Sequence, residues 1–182
     1  MNRNNVRKVV FGAAFATMML VSAQAFASTA ATSSVTMSAS SDNLALTVPT
    51  TIATAVAADG TITGPSADTC KITNTSVFAV RVSQIQASGG SGFNLTTKTA
   101  YDTATAADSY WMTLTPNSGT ALDLGSYTTA AAPAVATDWN LAATSGSIGI
   151  SSAGKIKSVD KDLSTATSAA SINWTFIAGS AS

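Results

Sequence analysis

The chemistry open to this sequence is narrow, because it contains neither histidine nor glutamate and only one cysteine. That removes the commonest general base, the usual partner of a nucleophilic Ser or Cys, and the commonest metal ligand. No Ser sits in a Gly-x-Ser-x-Gly turn, so no nucleophile elbow is implied. Asp160 and Asp162 lie two apart, a spacing that suits one strand face or the start of a calcium loop. Lys161 stands between them and no further oxygen ligand follows at loop spacing, so the pair reads as a solvated turn. Asp102 and Asp108 read as turn or cap residues, and no two carboxylates are singled out as a glycosidase pair. Gly89-Gly90-Ser91-Gly92 lacks the Lys and the strand–loop–helix setting of a phosphate loop, which leaves a flexible turn.

The single cysteine, Cys70, shares a strand face with Ile72 and reads as a small buried hydrophobe. A crosslink between chains is the alternative. Trp111, Trp139 and Trp174 could line a carbohydrate platform, but they are dispersed along the chain and suit core or rim packing better. Asn74-Thr-Ser76, Asn94-Leu-Thr96 and Asn173-Trp-Thr175 match the glycosylation sequon at about the frequency that chance gives in so hydroxyl-rich a chain. No catalytic, cofactor-binding or metal residue is assigned, and no cofactor is implied.

Alternation of period two dominates the elements that would position these groups. Val35-Thr-Met37-Ser-Ala39 and Leu44-Ala-Leu46-Thr-Val48 alternate, and Pro49 marks a strand end. Asp59-Gly60 joins the runs Ile52–Ala58 and Thr61–Thr63 and predicts a hairpin with both turn residues at positive φ. Cys70–Thr73, the turn Asn74–Ser76 and a strand Val77–Ile85 follow, with Phe78, Val80 and Val82 inward and Ala79, Arg81 and Ser83 outward. Further strands are expected at Phe93–Leu95, Tyr110–Thr115, Leu122–Leu124, Trp139–Leu141, Ile148–Ile150, Ile156–Val159 and Ile172–Phe176. Ala130–Ala136 reads as a loop, and Ala100–Ser109 and Asp160–Ala170 as short helices, the second capped by Asp162. The sum is an all-β chain: an antiparallel β-sandwich, Ig-like or jelly-roll-like, of about 8–10 short strands.

The N-terminus reads as an export signal. Arg3, Arg7 and Lys8 precede the uncharged apolar run Val9–Val21, and Ala25-Phe26-Ala27 offers a peptidase site. The run falls short of the roughly 20 residues that span a bilayer, so residues 1–27 are expected to be removed after Ala27. Residues 28–41 then form a flexible or strand-donating segment, and 42–182 a single sandwich domain. Three of the nine basic residues leave with the signal and all nine acidic ones stay, which gives the mature chain a formal charge of −3. It has no basic stripe for nucleic acid or anionic lipid, and no later run is apolar enough to span a membrane. Charged residues make up 10% of the chain against a usual quarter or so, which leaves a neutral, hydroxyl-rich surface.

Ile72-Thr-Asn-Thr-Ser-Val-Phe-Ala-Val-Arg-Val-Ser-Gln-Ile85 resembles the strand–turn–strand of secreted bacterial β-sandwiches such as camelysin-like biofilm-fibre proteins, with Ser76 where Gly is usual. Ile172-Asn-Trp-Thr-Phe176 is similar to the last strand of WxL-type cell-wall-associated domains, without a true Trp-x-Leu. The resemblance implies an extracellular sandwich that assembles or adheres. The expected role is a non-enzymatic, secreted structural subunit of a surface layer, fibre or pilus-like filament, partnered by copies of itself and in contact with cell wall or glycan. A monomeric adhesin for carbohydrate or host protein is the alternative.

Overall fold

The computed structural model describes residues 43–117 and 119–182; the expected signal peptide and the segment 28–41 lie outside the described residues. Six strands come first: Leu46–Thr47 (β1), Ala55–Val56 (β2), Thr61–Thr63 (β3), Lys71–Asn74 (β4), Val80–Gly89 (β5) and Asn94–Leu95 (β6). Ser109–Pro116 (β7), Leu122–Asp123 (β8), Asn140–Leu141 (β9), Ser147–Lys157 (β10) and Ala170–Ala178 (β11) follow. They build an eight-stranded and a three-stranded sheet, the latter in the order β11-β5-β9. The chain is all-β and sandwich-like, and among the described residues every strand pair is antiparallel except β6 with β7.

β10 is the axis of the larger sheet. One edge pairs with β7 from Ile150 to Lys157. The other takes β4 at Ser147–Gly149 and β3 at Ala153–Lys155. β1 and β2 add outside β4 and β3 in the same way. Alternation sets the faces: Ile148, Ile150 and Ile156 of β10 point inward with Tyr110, Met112 and Leu114 of β7, and all six are buried. Val82 and Ile85 of β5 meet them from the smaller sheet in one core cluster.

Four sequence expectations shift. Ile148–Ile150 and Ile156–Lys157 belong to one strand, because the small residues between them still pair, and Ser158 at φ 51° ends it before Val159; a Cβ at Gly154 would run into the Trp111 carbonyl. β5 begins at Val80, not Val77, so Phe78 is only half-buried and Val77 is 84% exposed. A bulge at Ser83, opposite Thr175/Phe176, then moves the buried positions from Val80 and Val82 to Ile85 and Ala87. The expected helices reduce to one turn, Lys98–Tyr101 (α1), capped by the Thr97 side chain. Asp108 at φ 55° cannot continue a helix, and Asp162 turns the chain by accepting from the Ser164 N–H instead of capping one.

The Asp-Gly hairpin forms with a different turn. Ala57 N–H donates to Thr61 O and Gly60 N–H to Ala57 O, and only Gly60 has positive φ, at 81°. This is a three-residue loop with glycine in the left-handed position, and Asp59 accepts from the Thr61 N–H at 3.0 Å and from its hydroxyl at 2.9 Å. A Cβ at residue 60 would strike the Ile156 carbonyl, so strand β10 and the turn both demand glycine there.

Candidate functional site

The aspartates do not converge. Asp160 presents its backbone N–H to the Asp108 carboxylate at 3.0 Å, which fastens the 158–162 turn to the start of β7. Asp162 is exposed and spends one oxygen on Ser164, whose hydrogen bonds hold its carboxyl below the ordinary carboxylate range. Asp102 is exposed beside α1. Among the described residues no three His, Cys, Asp or Glu side chains come together as metal ligands. Gly89 closes β5, and Ser91 and Gly92 turn back toward β6 at φ 52° and 81°.

Cys70 is buried against the core as a small hydrophobe, and burial pushes its thiol up from the usual range. Of the sequons, Asn74 is fully buried and holds the β4–β5 turn together. Its amide donates to Phe78 O and Ala142 O, both at 2.9 Å, and its carbonyl accepts from the Ser76 N–H. A side chain so engaged has no position for a glycan. The tryptophans split two ways. Trp139 is buried and meets half-buried Trp174 in a tilted ring contact. Trp111 lies half-covered on the outer face of the large sheet, with Lys98 Nζ 5.0 Å from its ring centroid and Lys155 as its cross-strand partner.

What the fold does expose is an edge. β11 pairs with β5 over nine residues on one side, and among the described residues no strand lies on the other. Its sequence, Ala-Ser-Ile-Asn-Trp-Thr-Phe-Ile-Ala, holds no charge, Pro or Gly, and the charge-free stretch runs from Leu163 to Ser182. Ile172, Trp174 and Phe176 face the core but are only half-covered. Across from β11, Val48 and Ile52 on the β1–β2 edge are half-covered too.

Between these two edges runs a groove of about 760 Å³. Its floor is core surface, Phe93, Tyr110, Met112 and Ile156, and its rims carry Ile52 and Trp174. The Tyr110 hydroxyl donates to Ala169 O at 2.7 Å, and burial pushes its pKa up to about 12. A smaller hollow of about 510 Å³ adjoins it beside the 57–60 turn, lined by Tyr101, Lys155 and Lys157. The Lys157 ammonium caps the Tyr101 ring at 4.5 Å and donates to the Tyr101 carbonyl.

The sequence shows β11 as a strand but not as an edge, since pairing partners are nonlocal. The lack of any charge over Leu163–Ser182 is the signal that would have marked it. Among the described residues no helix is long and apolar enough to cross a membrane. Comparison with protein-family models, with curated proteins and with solved structures yields no match.

Proposed function

We propose that this chain is a non-enzymatic, exported structural subunit that associates with copies of itself into a surface layer or fibre. The observation that carries the reading is β11: nine uncharged residues at a sheet edge, with none of the Lys, Pro or bulge devices that keep such edges from pairing. The bulge in this pair lies on β5, so it leaves the outer edge of β11 regular. An edge this long supports main-chain pairing with another chain, and its half-covered apolar side chains gain burial when that happens. The export signal and the neutral, hydroxyl-rich surface suit an extracellular polymer.

Charge on the edge tests it. Asn173→Lys with Thr175→Lys places two cations on exposed positions of β11. The mature wild-type protein is expected to form polymers visible by negative-stain microscopy. The double variant should stay monomeric in sedimentation, with its thermal midpoint unchanged. A wild-type chain that stays monomeric under all conditions overturns the reading.

A second reading, a secreted carbohydrate-binding module, is favoured by Trp111. Its indole lies on an exposed sheet face beside Lys98, Lys155 and Thr113, a hydroxyl- and cation-flanked aromatic surface. Saturable quenching of tryptophan fluorescence by polysaccharide, lost in Trp111→Ala, would select it.

A further inference from the structure

We infer that the groove between β11 and the β1–β2 edge is the acceptor for residues 33–41 of a second copy of this chain, which enter it antiparallel to β11. The inference rests on the self-association reading above and names the two surfaces that meet.

The acceptor has two parts. The outer edge of β11 offers backbone groups that no strand among the described residues pairs, and the groove beside it offers apolar side chains that the described sheets cover only in part: Ile52, Ile172 and Trp174. An added strand satisfies both at once, because alternate residues of a strand on β11 point into the groove.

The donor is legible in the sequence. Residues 28–41 carry no charge, and Val35-Thr-Met37-Ser-Ala39 alternates apolar with hydroxyl residues. Val35, Met37 and Ala39 face the groove in the proposed register, with Thr36 and Ser38 toward solvent. Nine residues extend about 30 Å at the antiparallel rise, the length of β11 itself. Met at the central position suits an irregular apolar slot.

Chain direction favours a neighbour over the chain's own segment. β1 runs alongside β10 in the same direction, and its first residue lies level with Asn74, where the chain leaves the large sheet for β5. β5 climbs from that end and β11 descends toward it, Ala178 opposite Val80. A segment that leads directly into Asn43 and pairs with β11 must therefore descend with it, in the parallel sense. A second copy has no such tether. It enters antiparallel, the sense of eight of the nine strand pairs described here and the slightly more stable one. The contact joins two different surfaces, so repetition yields an open filament.

Cysteine pairing tests it in the full mature chain, in a Cys70→Ala background. Ser38→Cys is mixed with a second variant carrying a cysteine at Ser171, Asn173 or Thr175, and the mixture is oxidised. A disulfide-linked heterodimer at one of these three positions, together with loss of polymers but an unchanged thermal midpoint on deletion of residues 28–40, is the expected result. If the two cysteines placed in one chain instead close within the monomer, or if the deletion collapses the thermal midpoint, the segment belongs to its own domain and the inference falls. Polymers that persist after the deletion also overturn it while leaving the self-association reading intact. A wild-type chain that never polymerises overturns that reading, and the inference with it.

Discussion

Trp174 on the edge strand β11 rests against Trp139, with ring centroids 5.6 Å apart and ring planes inclined by 41°. Trp139 closes the 3₁₀ turn Ala136–Trp139 and is 1% exposed, whereas Trp174 is half-covered. The pair therefore ties the open edge of the smaller sheet to a buried anchor. An edge strand with one hydrogen-bonded neighbour depends on such contacts to keep its shape, and a shape that is kept can be recognised.

Truncation should separate the two roles. Trp139→Ala is expected to cost about 3–5 kcal/mol, the range for a large buried aromatic, and Trp174→Ala clearly less. The double variant should show a coupling of about 0.5–1.5 kcal/mol between them, measured by urea denaturation. Independent, additive losses would mean that the rings touch without holding β11.

Asn74 makes the second prediction. Asn74→Ala leaves the half-buried Phe78 carbonyl and the buried Ser76 N–H without their partners, while Ala142 O keeps its bond from the Gly146 N–H. Each orphaned group costs about 1–3 kcal/mol, so a loss of roughly 3 kcal/mol is expected in denaturant unfolding. Asn94→Ala removes one exposed bond to Ala107 O and should cost under about 1 kcal/mol. Equal losses would show that the β4–β5 turn does not rely on this amide.

Period-two alternation made β7 and β11 legible almost residue by residue, because each has one half-buried or buried face and no interruption. β5 was legible only in part. Its bulge at Ser83 is fixed by register against Thr175, 92 residues on in the chain, and Phe176, and no local pattern encodes that. The sequence pattern divides β10 in two because Ser151 to Gly154 are too small to carry a hydrophobic period, though Gly154 is required there by the close approach of β7. The alanine-rich stretches suggested helices on propensity alone. The chain overrode that propensity with one left-handed residue, Asp108, and one side-chain turn, Asp162. The groove was illegible for the same reason as the bulge: Ile52 and Trp174 come to line one hollow only after both sheets have formed.

Ser152 supplies a third prediction. Its side chain is buried on β10 and packs against Gly64, and its hydroxyl has no hydrogen-bond partner among the described residues. Ser152→Ala removes an unsatisfied polar atom at little cost in volume. The thermal midpoint should stay level or rise, since the desolvation penalty of the hydroxyl, about 1–3 kcal/mol, is relieved. A clear fall in the midpoint would show that the hydroxyl is bonded in solution.

Tyr110 ties stability to alkaline pH. Burial raises its pKa to about 12, while the unfolded chain ionises near the ordinary value of about 10. Between these values the unfolded state has released a proton that the folded state still holds, so unfolding is favoured as pH rises. The contribution is fully present below about pH 10 and is lost progressively on the way to about pH 12. Two pKa units correspond to something on the order of 2 kcal/mol. Tyr110→Phe keeps the ring in the core but removes both the titration and the bond to Ala169 O. At pH 8 the variant should be less stable by about 1 kcal/mol, the worth of that bond. Across pH 10–12 the wild-type chain should lose stability faster than the variant, so the two thermal midpoints converge and then cross. Parallel curves for the two proteins through this window would exclude Tyr110 as the group responsible.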